Sequence, residues 1–92
     1  IQVRKDELVR IYLVNILEFD MINSFHVHAH FFNEYRTRTL SVPNNYTDTV
    51  ALAQAERSIL EMRFRYPGHF MFHAHKTEFA EKGWHGMFEV RN

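Results

Sequence analysis

Apolar and polar residues alternate along much of this chain with the period of two that a half-buried strand requires. Residues 1–4 read as a short strand, followed by the polar turn Lys5-Asp6-Glu7. Residues 8–15 are rich in β-branched and aromatic side chains and predict a second strand. A mixed connection over 16–22 leads to a strand candidate at 24–32. Alternation there puts His26, His28 and His30 on one face, with Phe25 and Val27 on the other. Residues 33–46 contain a turn-rich loop, Ser41-Val-Pro-Asn-Asn45.

Residues 47–52 and 57–65 predict two strands around a turn at 53–56. The stretch 51–62 also holds good helix formers, but the flanking β-branched residues favour strands. Tyr66-Pro67-Gly68 places Pro and Gly at the two central positions of a turn. A strand over 69–75 follows. Residues 76–82 suit a helical turn or two ended by Gly83, and 84–90 form a closing strand. About seven short strands separated by turn signals imply an all-β fold, an antiparallel sandwich or Greek-key barrel.

Composition narrows the function classes. The 92 residues make one domain at most. An apolar fraction of 46%, with nine Phe, is enough for a hydrophobic core. Eleven basic and eleven acidic residues cancel, so no basic stripe suggests nucleic acid. No apolar run is long enough for a membrane-spanning helix. With no cysteine, thiolate nucleophiles, thiolate metal ligands and disulfides are excluded. No linker or low-complexity segment interrupts the chain. Its opening on Ile1 rather than Met is expected of a processed piece of a longer chain.

Five of the seven histidines fall in two apolar runs, Phe25-His-Val-His-Ala-His30 and Phe70-Met-Phe-His-Ala-His75. Neutral imidazole is the commonest protein nitrogen donor to copper, zinc and iron. Residues i and i+2 of a strand point the same way about 6–7 Å apart. That spacing is awkward for one tetrahedral ion and natural for separate ions of a cluster. A single His-x-His pair is equally compatible with two exposed surface histidines. Two pairs in Phe-rich segments favour a metal site, because burying four imidazoles without partners is costly.

These residues carry a resemblance to the cupredoxin domains of multicopper oxidases. Phe25-His-Val-His28 resembles that family's His-Pro-x-His-x-His run. The stretch from Tyr66-Pro-Gly-His-Phe-Met-Phe-His-Ala-His75 to Gly83-Trp-His-Gly-Met-Phe-Glu-Val90 resembles its closing His-Cys-His-x3-His-x3-Gly-Met run. Residues 6–15 resemble the strand entering the domain, and Tyr46-Thr-Asp-Thr-Val50 the middle strand. The resemblance covers nearly the whole chain. It implies a single cupredoxin-like domain over 1–92, with one short helix near 76–82, forming the C-terminal part of a longer chain.

The departures are specific. Where the family builds its mononuclear type 1 copper site, this chain has Asn23, Ala74, Phe79 and Trp84. A blue-copper centre needs a thiolate, and Ala74 has none. The positions matching the trinuclear ligands are intact as His26, His28, His73 and His75. By the family's pattern His26 would bind the single type 2 copper, and His28, His73 and His75 the coupled type 3 pair. Such a cluster reduces O2 to water and takes half of its ligands from a second cupredoxin domain, which would carry the type 1 copper. The combination resembles the C-terminal domain of two-domain, laccase-like enzymes, which assemble as homotrimers. It implies a periplasmic or extracellular location and no activity for the domain alone.

Two rival readings are a nitrite reductase-like cupredoxin domain, which would donate only one His to a type 2 copper, and a non-catalytic copper-binding module. The remaining candidates are expected in lesser roles. His30 would sit beside the ligands or at the surface, and His69 and His85 would be solvated. Glu78 and Glu81 would relay protons, orient imidazoles or simply line a solvated face. Asp48 would hydrogen-bond near the cluster or cap a turn. Phe72 and Ala74 would face away from the metal.

Overall fold

A computed structural model describes residues 1–16, 21–36, 42–75, 81 and 83–92. Among these residues there are nine strands: β1 Gln2–Arg4, β2 Val9–Val14, β3 Ile22–Val27, β4 Phe32–Arg36, β5 Asn45–Thr47, β6 Thr49–Ala53, β7 Arg57–Met62, β8 Gly68–His73 and β9 His85–Arg91. They form two sheets, β1-β9-β8-β3-β6 and β2-β7-β4-β5. The result is an all-β, cupredoxin-like sandwich, as the strand pattern implies. The helix expected over 76–82 lies, apart from Glu81, outside the described residues, as do 17–20 of the connection after β2.

Inward residues from both sheets make the core. Val27, Val50, Phe88 and Val90 from one sheet meet Phe32, Leu60 and Met62 from the other, with Phe64 after β7 between them. Phe64 and Phe88 pack at 5.1 Å between ring centres, and Phe72 and Phe88 at 4.9 Å. Asn15, buried at the end of β2, donates its side-chain amide to the Leu52 carbonyl of β6 at 2.7 Å. That bond ties the two sheets together at one end.

Two expected strands each prove to be two. The 24–32 candidate ends at Val27, turns through His28 and Ala29, and resumes as β4 in the opposite sheet. Ala29 makes the turn at φ 55°, a left-handed conformation that disfavours a longer strand. Likewise the 47–52 candidate bends at Asp48, which separates β5 from β6 in different sheets. The Thr47 hydroxyl closes that bend by donating to the Thr49 carbonyl at 3.1 Å and accepting the Thr49 N–H at 3.2 Å. The inward positions change phase across the Ala29 crossing, from Phe25 and Val27 in β3 to Phe32 and Glu34 in β4.

Three smaller differences follow from local bonding. β4 occupies part of the expected 33–46 loop. Its inward position holds a carboxylate, Glu34, which is buried and accepts the Ser58 hydroxyl at 3.1 Å. β8 stops at His73 rather than His75, although Ala74 N–H still bonds the Trp84 carbonyl at 2.9 Å. Finally, β1 joins β9 in parallel, the one exception among these pairings to an antiparallel sandwich. The turn after β1, with Asp6 at φ 65°, carries the chain from one sheet to the other.

Candidate metal centre

Strands β3 and β8 are antiparallel neighbours, and their register sets His26 directly opposite His73. The pairing runs one step further, with His28 N–H donating to the Met71 carbonyl at 2.9 Å. His28 therefore emerges at the turn beside the same pair. Ser24 Oγ accepts the backbone N–H of His75 at 3.0 Å and brings the end of the second run back to β3. The sandwich thus draws all four imidazoles together from two segments 45 residues apart.

The ring centres lie close. His26 is 5.2 Å from His28, 5.4 Å from His73 and 5.5 Å from His75. His28 and His73 are 4.9 Å apart, and His73 and His75 6.0 Å. A ligand atom from each of His26, His28 and His73 falls within 4.8 Å of the others. His75 stands at the rim, outside that tightest group. His26 and His73 are half-buried, whereas His28 and His75 are exposed.

Hydrogen bonds fix which nitrogens face one another. His26 Nδ1 lies 2.9 Å from the Asp48 carbonyl, and His73 Nδ1 lies 2.7 Å from the Ala74 carbonyl. A carbonyl can only accept, so both rings carry their proton on Nδ1. Each ring then carries its lone pair on Nε2. His73 Nε2 meets His28 Nε2 at 2.8 Å, with His28 donating. Convergent imidazole nitrogens, two of them with Nδ1–H anchored to backbone carbonyls, are the donor set of a copper or zinc site once the proton between His28 and His73 is lost. The residues present therefore fit copper.

The other candidates separate. His30 does not share a face with His26 and His28, although the alternation places it there. Beyond the Ala29 turn its ring packs on Phe64 at 4.5 Å, and Nε2 donates to the Arg63 carbonyl at 2.9 Å. Burial there lowers its pKa. His69 and His85 are exposed on β8 and β9, opposite Glu89 and His73 respectively. Glu81 is exposed, and Glu78 lies outside the described residues. Asp48 both bonds at the site, through its carbonyl, and occupies a bend. Phe72 packs inward against Phe25 and Phe88, and Ala74 is buried.

Of the four positions that the resemblance sets at a type 1 copper site, Asn23, Ala74 and Trp84 line one cavity of about 480 Å3, walled by apolar groups that include Leu13, Phe25 and Phe72. Phe79 is outside the described residues. Two contributors to the centre were not evident from sequence. Ser24 and Thr49 touch the histidine segments only through cross-strand pairing, and a lone hydroxyl residue on a strand gives no sign of that.

A cupredoxin-like sandwich that converges imidazoles from two segments has the arrangement of a copper-binding domain. More narrowly, the chain belongs to the multicopper oxidase family, whose model matches residues 1–92. It is similar to a multicopper oxidase of known crystal structure at 61% identity and TM-score 0.96, over 98% of this chain and 32% of that one. A multicopper oxidase from Pediococcus acidilactici matches at 25% identity and TM-score 0.83, over 99% of this chain and 20% of its own. A copper nitrite reductase from Nitrosomonas europaea, at 21% identity and TM-score 0.83 over 99% of this chain and 32% of that one, shares the fold. No curated protein matches. The chain thus spans about a third or less of the length of these structures. Among the described residues no helix is long and apolar enough to cross a membrane.

Proposed function

We propose that this chain supplies half of a trinuclear copper cluster that reduces O2 to water, within a larger laccase-like oxidase. His26 holds the type 2 ion, and His28, His73 and His75 hold the type 3 pair. The observation that carries this reading is the convergence of His26, His28 and His73, with two Nε2 atoms meeting at 2.8 Å. Copper bound there supplies the one-electron steps of O2 reduction. The protein's part is to hold His26 and His73 with Nδ1 protonated, so that their Nε2 atoms are set to bind a cation, while His28 gives up its Nε2 proton on binding one.

The geometry also supports an incomplete site. His28 and His75 are exposed, which leaves one side of the cluster for ligands from a second cupredoxin domain. That domain lies either earlier in the same protein or in a neighbouring subunit of a homotrimer. Electrons arrive through its type 1 copper, since this chain has no cysteine to build one. The domain alone is then inactive, and the whole enzyme works in the periplasm or outside the cell. Four clustered imidazoles fit a nitrite reductase-like role less well, because that role needs only one. Replacing His28 or His73 by Ala in the full-length protein is expected to abolish O2 consumption with any reducing substrate while leaving the type 1 colour. Unchanged turnover would refute their assignment.

A further inference from the structure

We propose that Thr49 is a positioning residue for the copper centre, acting on His26 through a carboxylate–hydroxyl–imidazole chain. The inference rests on His26 being a copper ligand. Thr49 faces His26 as its ladder partner on β6. Its Oγ1 lies 2.8 Å from His26 Nδ1 and 3.2 Å from Asp48 Oδ1. A carboxylate has only acceptors to offer, so the Thr49 hydroxyl donates its proton to Asp48. Its lone pair is thereby turned to His26 and accepts from Nδ1–H. The Asp48 carbonyl accepts from the same Nδ1–H at 2.9 Å and from the Val27 N–H at 3.1 Å.

Two acceptors therefore hold one N–H from neighbouring directions. One acceptor alone would fix the tautomer, and the second fixes the tilt of the ring. His26 is consequently set with Nδ1 protonated and Nε2 as the ligating atom. The Asp48 carboxylate lies 3.9 Å from Nδ1 and, by polarising the N–H, makes the ring a better donor to a cation. His73, by contrast, has one Nδ1 acceptor among the described residues, the carbonyl of the next residue. Among these imidazoles the doubled hold falls on His26, whose placement depends on a bend in a different strand.

The test uses the full-length protein, depleted of copper and reloaded with copper alone. Thr49→Val keeps the β-branched shape and removes the hydroxyl, whereas Thr49→Ser restores it. Thr49→Val is expected to release copper to a competing chelator about tenfold more readily, at the lower end of the range for lost outer partners because the Asp48 carbonyl remains. Thr49→Ser should behave close to wild type, and the unfolding temperature of the metal-free protein should be the same in all three. Nitrogen-15 spectra of histidine-labelled, metal-free protein should show the His26 Nδ1 signal shifted in Thr49→Val alone. Copper retention in Thr49→Val equal to wild type overturns the positioning role while leaving the copper centre standing. A wild-type protein that binds no copper, with the Nδ1 signal as expected, overturns the copper reading and the inference with it.

Discussion

A Cβ atom at residue 86 would lie 2.3 Å from the end of the Phe72 ring and 2.8–2.9 Å from its flanks. Gly86 is the register partner of Phe72, and the ring lies over its bare backbone. Phe25 and Phe88 pack on the same ring at 5.6 and 4.9 Å, so it cannot swing aside freely. Gly86→Ala should therefore cost about 1–3 kcal/mol, as overpacking typically does. Thermal unfolding would show this as a fall of roughly 4–8 °C per kcal/mol for a domain of this size. An unchanged midpoint would mean that the core yields more than its packing suggests. At the same scale, the copper candidates were legible as His-x-His, and the absent thiolate as Ala74. The hydroxyls of Ser24 and Thr49 were not, because they matter only through strands that pair across the sheet.

The turn joining β3 to β4 separates two histidines that alternation places together. His28 stays with the cluster, whereas His30 crosses to the Phe64 side and loses water. Desolvation lowers the pKa of His30 from its ordinary 6.5, with the bond to the Arg63 carbonyl acting in the opposite sense. A depressed histidine pKa means the unfolded chain binds the proton more readily. This position therefore does not oppose folding above the unfolded pKa, and costs stability progressively as pH falls through about 6.5 and on to the lower folded value. Denaturant midpoints measured from about pH 7.5 to 5 should fall more steeply for wild type than for His30→Gln, which cannot be protonated in this range. Parallel curves would contradict the burial argument.

The strand content and the sandwich were readable from the period of two. The sheet crossings at Ala29 and Asp48 were not, because neither is marked by Gly or Pro, and the change in phase of the inward positions shows only once the sheets are known. β4 was hidden for a different reason. Its inward Glu34 reads as loop until Ser58 and Arg36 are seen to satisfy it, at 3.1 and 3.4 Å.

Across the whole molecule, the sandwich buries its aromatic residues inside and leaves the imidazole group at the end of β3 and β8, with two of its four rings exposed. The cavity lined by Asn23, Ala74 and Trp84 lies behind His73, which also lines it. The imidazole group and this thiolate-free cavity are therefore neighbours in the fold. On the function proposed above, such a domain would hold half of a centre and take the other half, and its electrons, from a partner. The most direct test is the copper content of the full-length protein beside its His26→Ala, His28→Ala and His73→Ala variants, measured with the type 1 absorption as an internal standard. The account predicts a full trinuclear complement at each interface in wild type, loss of type 2 copper with His26→Ala, and loss of the coupled pair with His28→Ala or His73→Ala. A single weakly held ion per chain, or variants that keep the wild-type complement, would contradict it.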